Sequence, residues 1–386
     1  MLENAKESVK NQIKKRISWN TYFNANVYRY FSTRSIEEMN QICEEAAMDD
    51  SIRSVEWLKQ YRRDIDSGKR RFFTTDSNWA NAHIYGNWYG MFGRFNLNPI
   101  YTPSVEHGLI FHKQIFGDIQ DTARASAATF GEFRKKIIRK YTDIPVFCVG
   151  PYIHYADSFY SEDEILREKK KNGKTLLFFP THGTERDNLS FEIEKFRRYL
   201  KSMEEKYDTI LVNAFWWNLN EPLFEALQSD GYRIVSAGFR EDLRFMSRLK
   251  TLILLADHVA GDSVGTHIGY CVECGVPFGF VSLGTTISST VEKENRDTQF
   301  VTRHMQRIEK AFYESETITE EQKRICDYYW GLGSVKTKEE LKEIVRFNYY
   351  LTRLSKGNMK MIHSIAIELA KNERWKNNSM IRKAIQ

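Results

Sequence analysis

The stretch Ala256-Asp257-His258-Val259-Ala260-Gly261-Asp262-Ser263-Val264-Gly265-Thr266-His267-Ile268-Gly269-Tyr270 decides the fold. It reads as a strand, a turn of small and hydroxylated residues, and the start of a helix that runs to Cys274. A helix opening at a strand's end leaves backbone N–H groups without intrahelical partners, and such groups bind phosphate with no side-chain charge. Gly265 lets the backbone approach a ligand, Ser263 and Thr266 add hydroxyls, and Val264 lies between them. A capped helix with no ligand would use Asp262 or Ser263 but leave the glycine and the second hydroxyl without a purpose.

Working outward, the same unit recurs. TLLFFP (Thr175 to Pro180), TILVNAF (Thr209 to Phe215), RIVSAG (Arg233 to Gly238) and PFGFVS (Pro277 to Ser282) are short apolar runs. Amphipathic segments separate them, at Leu189 to Tyr207, Glu221 to Gln228 and about Glu241 to Lys250. Continuous apolar strands alternating with helices predict a parallel sheet covered on both faces, a Rossmann-like array with ligands at the carboxyl ends of its strands. The first strand empties into Pro180-Thr181-His182-Gly183-Thr184-Glu185-Arg186-Asp187. That turn falls at the same sheet edge, where His182 and Arg186 are candidates for phosphate oxygens beside Gly183 and Thr184. Gly238 and Phe239, after the third strand, stand where a nucleobase would stack or bond to backbone.

The N-terminal half offers two strand candidates, PIYTPS (Pro99 to Ser104) and IPVFCVG (Ile144 to Gly150). The first ends in Glu106-His107-Gly108. A histidine at a strand's end, with a glycine behind it and a carboxylate beside it, is a candidate general base. Neighbours on a strand point oppositely, so Glu106 and His107 need not act together. Tyr85-Gly86-Asn87-Trp88-Tyr89-Gly90 suits a loop that stacks on a sugar, with Tyr89 and Gly90 on the acceptor side, or a packed turn. Helical periodicity runs from Asn4 to about Arg63 and again through a long tail, Glu320 to Gln386. These boundaries predict an α/β domain over 1–155, a Rossmann-like domain over 156–310 and a helical tail over 311–386.

Composition narrows the function classes. A chain of 386 residues suits two domains and the cleft between them. Its formal charge of +6, from 57 basic and 51 acidic residues, falls short of a nucleic-acid-binding signature. The charged segment Met1 to Arg16 lacks the apolar core of a signal peptide, and no run reaches the roughly 18 apolar residues that span a bilayer. The expectation is a cytoplasmic protein. Lys6, Lys10, Lys14, Lys15 and Arg16 form either a solvated helix face or a peripheral contact with anionic lipid. Five scattered cysteines suit reduced thiols, and Cys271 and Cys274, though spaced C-x-x-C, lack a second pair and read as buried thiols on a helix.

Taken together, Tyr89-Gly90, the Glu106-His107-Gly108 turn, GPYIHYA (Gly150 to Ala156), FPTHGTE (Phe179 to Glu185) and DSVGTHIGY with Gly275-Val276-Pro277 form a pattern. Over roughly residues 80 to 285 it resembles the GT-B glycosyltransferases of bacterial surface polysaccharide (capsule and lipopolysaccharide) assembly, and more distantly the CDP-glycerol glycerophosphotransferases. The resemblance implies two Rossmann-like domains facing a cleft, with extra N- and C-terminal helices. It implies a nucleotide-sugar donor held by the C-terminal domain at Ser263 to Thr266, and a glycan or lipid-linked glycan acceptor presented by the N-terminal domain. His107 becomes the base, with Gly108 beside the acceptor. No D-x-D stands in a donor loop, so no metal and no further cofactor is expected. Transfer of a phospho-linked group from a CDP-type donor, and a non-catalytic nucleotide-binding scaffold, are the alternative functions.

Overall fold

The computed structural model describes residues 41, 45, 52, 55–70, 84–95, 101–113, 115, 124–183, 187–240, 242–289, 298–355 and 358–386. The basic segment near the N-terminus, Thr184 and Arg186 lie outside the described residues.

Two parallel sheets organise the chain. The larger contains β4 (Thr175–Phe179), β6 (Thr209–Asn213), β7 (Arg233–Val235), β8 (His258–Gly261) and β9 (Phe278–Phe280) in the order β7-β6-β4-β8-β9. Every pairing in it is parallel. All five strands fall on the predicted apolar runs. The chain starts at β4, winds outward to β7, then returns to the other side of β4 as β8 and β9, which is the classic doubly wound order. Burial on β4 alternates between two cores. Leu176 and Phe178 join the cluster of Phe196, Leu223 and Phe224, whereas Leu177 and Phe179 face the cluster that continues into the N-terminal half.

The smaller sheet is β1 (Ser104–Val105), β2 (Ala127–Thr129) and β3 (Val146–Cys148), parallel and in that order. β1 begins at the end of the predicted PIYTPS run. β2 was not expected. It is a central strand built of Ala127, Ala128 and Thr129, all fully buried, so small side chains carry a position where β-branched residues would have signalled a strand. Together the sheets meet the expectation of an α/β chain with two Rossmann-like units.

The helices His267–Glu273 and Phe245–Leu255 begin later than predicted, so Ser263 to Gly265 belong to a loop and Thr266 is the last residue before the helix. Part of the predicted helix Leu189 to Tyr207 is instead β5 (Asp187–Ser190), paired antiparallel with β10 (Thr286–Ser289); the helix itself is Ile193–Met203.

The C-terminal helices fold back onto the smaller sheet. Helix Ser379–Ile385 packs on β3, and Ser126 donates to Asn348 Oδ1 at 2.5 Å within the buried layer. Phe130 O and Gly131 lie against Gly331, whose φ of +68° and lack of a Cβ permit that approach. Trp330, fully buried, covers Gly269, where any side chain would collide with the indole, and donates from Nε1 to Thr266 O at 3.0 Å. One continuous core thus joins the smaller sheet, the C-terminal helices and one face of the larger sheet. Among the described residues no helix is long and apolar enough to cross a membrane.

Candidate functional site

In a doubly wound sheet the crevice opens where successive connections leave in opposite directions, here between β4 and β8 at their carboxyl ends. Two turns flank it, and one carboxylate ties them. Asp262 Oδ1 accepts from the Thr181 N–H at 2.6 Å and from Thr181 Oγ1 at 2.9 Å, while Oδ2 accepts from the Thr285 hydroxyl. Burial pushes the Asp262 carboxyl pKa up, and these bonds oppose that shift. Asp262 therefore builds the site instead of touching a ligand.

A cavity of about 320 Å³ lies at this crevice, at the lower end of the roughly 300–1,000 Å³ usual for ligand pockets. Phe179, Asn213, Ala237 and Gly265 bring it the ends of four strands of the larger sheet. The smaller sheet closes it from across, through the turn that follows β1: His107, Gly108 and Leu109 line the pocket, and the Leu109 N–H donates to Thr266 Oγ1 at 3.1 Å. His107 O is held by Asn87 Nδ2 at 2.9 Å.

The structure thus brings His107, Gly108, His182, Gly265 and Thr266 to one pocket. His182 stands at its rim against Phe215, with ring centroids 5.1 Å apart. Gly183 sits behind it, its N–H donating to Asn218 Oδ1 at 3.1 Å. Gly265, Thr266 and His267 line the pocket, and their backbone N–H groups have no acceptor among the described residues. Among the described lining residues there is no lysine or arginine. Charge in a bound ligand would therefore be met by backbone dipoles.

Seven residues assigned from sequence do not line this pocket: Glu106, Tyr89, Gly90, Gly238, Phe239, Ser263 and Val264. Glu106 does not reach the pocket. It is fully buried in a forked ion pair with Arg134, whose Nη2 lies 2.5 Å from Oε1 and whose Nε lies 3.1 Å from both oxygens, and Thr129 Oγ1 donates to Oε2 at 2.6 Å. Strand alternation sends its carboxylate into the core as His107 turns to the cleft. Tyr89 is 52 % exposed, and neither it nor Gly90, which packs on Tyr155, lines the pocket. Phe239 is no base platform. It packs edge-on against Tyr61 and Trp216 at 5.0 Å each, so Ala237 reaches the pocket in place of Gly238 and Phe239. Ser263 and Val264 also stand off the pocket, because the helix begins at His267 and Val264 packs towards the core.

The structure adds Tyr85, Asn213 and His267. Tyr85 adopts a left-handed backbone (φ 57°) rare for an aromatic residue, which turns its ring into the pocket against Phe245 at 4.8 Å. Asn213 Oδ1 and His267 Nε2 are buried with no hydrogen-bond partner among the described residues. Such atoms are costly unless a ligand or water satisfies them. Asn213 was visible as the one polar residue closing the TILVN strand. His267 was visible within GTHIGY, yet a histidine inside a helical pattern carries no further mark.

His267 stacks on Phe179 with ring centroids 5.0 Å apart and planes 10° from parallel. Burial, aided by His182, pushes its pKa down to about 3. It is therefore a neutral imidazole across the physiological range. Unfolding restores an ordinary pKa near 6.5, so between about pH 6.5 and 3 the unfolded chain binds the extra proton and stability falls as pH falls. His267→Phe keeps the stack and removes this proton. Its melting temperature is expected to fall less than that of the wild type between pH 7 and pH 5, a gap of up to ~1.4 kcal/mol per pH unit below 6.5. Parallel melting curves at every pH would exclude a buried neutral His267.

Among the described residues no group of three His, Cys, Asp or Glu could hold a metal ion. Cys271 is buried on the helix His267–Glu273, and burial raises its thiol pKa and that of Cys274, the latter to about 12. No family model and no curated protein matches the chain. Among solved structures it is similar to Phytolacca americana UGT2 complexed with UDP-2fluoro-glucose and pterostilbene, at 12% identity and a TM-score of 0.24. The match covers 63% of this chain and 53% of that one, about half its length.

Proposed function

We propose that the protein is a glycosyltransferase that moves a sugar from a nucleotide-sugar donor to a hydroxyl of a growing bacterial surface glycan. One observation carries the reading: a pocket at the β4/β8 crevice presents unpaired backbone N–H groups at Gly265 to His267 and is closed from the other sheet by His107. Backbone donors at the carboxyl ends of a doubly wound sheet suit a diphosphate. The largely uncharged walls, with Tyr85 and Phe215, suit an aromatic or sugar ring beside it.

In this reading His107 takes the proton of the acceptor hydroxyl as its oxygen bonds to the anomeric carbon. The bond from that carbon to the phosphate oxygen breaks, its electron pair leaves with the nucleoside diphosphate, and the N–H groups of Gly265 and Thr266 stabilise the leaving charge. Asn213 Oδ1 orients the donor by accepting from one of its hydroxyls, and the Nε2 of neutral His267 by accepting from or donating to another. The glycan or lipid-linked glycan acceptor enters beside Gly108, at the inner face of the cell membrane.

Thermal denaturation with a panel of UDP-, GDP-, dTDP- and CMP-sugars and with CDP-glycerol tests the donor. One nucleotide sugar is expected to stabilise the protein by about 2.7 kcal/mol at a hundred times its Kd. Stabilisation by CDP-glycerol alone would replace the sugar with a phospho-linked group. A flat response to the whole panel would remove the transferase reading.

A further inference from the structure

A second cavity, of about 240 Å³, opens at the edge of the smaller sheet, where β3 meets the segment after Gly331 and the helix Ser379–Ile385. Lys135, Lys336 and Lys383 line it, together with the hydroxyls of Ser334 and Ser379. Glu132 and Glu340 also line it, and both are engaged. Glu340 Oε2 accepts from the Thr337 N–H at 2.8 Å, and Glu132 Oε1 accepts from the Cys148 thiol at 3.7 Å. Lys135 Nζ donates to the Lys383 carbonyl. Among the described residues, the ammonium groups of Lys336 and Lys383 and both serine hydroxyls have no hydrogen-bond or ion-pair partner.

The cavity is therefore a small polar space with more positive than negative charge and four donors awaiting an acceptor. Lys336 is part-buried. Burial lowers its pKa and Lys383 pushes the same way, while Glu340 only partly opposes them. The Cys148 thiol supplies no countercharge, because burial and Glu132 raise its pKa to about 12 and keep it protonated.

We propose that this cavity binds a small phosphate-class anion, gripped by Lys336 and Lys383 and by the hydroxyls of Ser334 and Ser379. Donors arriving from two separate segments match a tetrahedral oxyanion better than a planar carboxylate, and lysines serve phosphate as point charges. A volume below the usual range for larger ligands sets the size limit at phosphate with at most a small organic group. Such an anion fastens the C-terminal helix, through Ser379 and Lys383, to the segment after Gly331, through Ser334 and Lys336. The site shares no residue with the pocket at the β4/β8 crevice.

The test is thermal denaturation of the full chain in millimolar inorganic phosphate or glycerol 3-phosphate against potassium chloride of equal ionic strength. Phosphate-class anions are expected to raise the melting temperature by a few degrees beyond chloride. That shift should vanish in Lys336→Gln/Lys383→Gln and persist in Lys336→Arg/Lys383→Arg and in Gly108→Leu, which alters only the first pocket. A larger shift with glycerol 3-phosphate supports a phosphorylated metabolite as the source, and a larger shift with inorganic phosphate supports the free ion. Isothermal titration of the folded proteins repeats the comparison without unfolding. An equal shift in the glutamine variant, or none in the wild type, overturns the proposal.

Discussion

Glu106→Ala is expected to destabilise the protein by about 3–5 kcal/mol, because it leaves the Arg134 guanidinium charged and deprived of its carboxylate in a fully buried site. The carboxylate that the change removes accepts three contacts from Arg134 and one from Thr129. Arg134→Met should cost a comparable amount by stranding Glu106. The double change to Ala and Met should recover much of the loss, since a buried pair replaced by apolar groups is often near neutral. Chemical denaturation of the three variants measures this coupling directly. A loss below about 1 kcal/mol in Glu106→Ala would return Glu106 to the list of candidate acid–base groups.

His107→Ala carries the opposite signature. The side chain belongs to the turn after β1 and lines the pocket, and the turn itself is anchored through backbone groups, His107 O to Asn87 and the Leu109 N–H to Thr266. Melting temperature and nucleotide affinity should therefore stay close to wild type. Turnover with the donor found by the panel should fall about 10²- to 10⁴-fold, the usual contribution of one positioned base. Measuring kcat and KM separately distinguishes the cases, because a base acts on kcat. A fall in turnover matched by a fall in stability would make His107 structural, and His182 at the pocket rim would be the next base to test.

The contrast between neighbours Glu106 and His107 shows how far the sequence could be read. The larger sheet was legible because its strands are continuous apolar runs bounded by turns, a pattern that only a doubly covered parallel sheet requires. β2 was not, because Ala127 and Ala128 favour no strand locally, although both are fully buried in the core. β5 and β10 were missed because Asp187 to Ser190 is polar and pairs with residues about a hundred positions away. For the site, strand ends and turns pointed to His182, Gly265 and Thr266 at one edge of the larger sheet and to His107 in the other half, and these four residues line one pocket. The period of two already warned that Glu106 and His107 part company, but its partner Arg134 lies 28 residues on in another element. Tyr89 was assigned from an aromatic, glycine-rich loop and Phe239 from its place after the third strand, and only the left-handed turn at Tyr85 and the aromatic cluster around Trp216 decide which rings face the pocket.

The central claim is that the pocket between the two sheets holds a nucleoside diphosphate, and isothermal titration of nucleoside diphosphates into wild type and Gly108→Leu tests it most directly. A Cβ at Gly108 meets only Thr266 Oγ1, at an ordinary 3.5 Å, so the variant should fold while its side chain fills the pocket. One nucleoside diphosphate is expected to bind the wild type at one per chain, and to bind Gly108→Leu at least about tenfold more weakly, a loss of ~1.4 kcal/mol. Failure of every nucleoside diphosphate to bind the wild type, or equal affinity in the filled variant, would contradict the account.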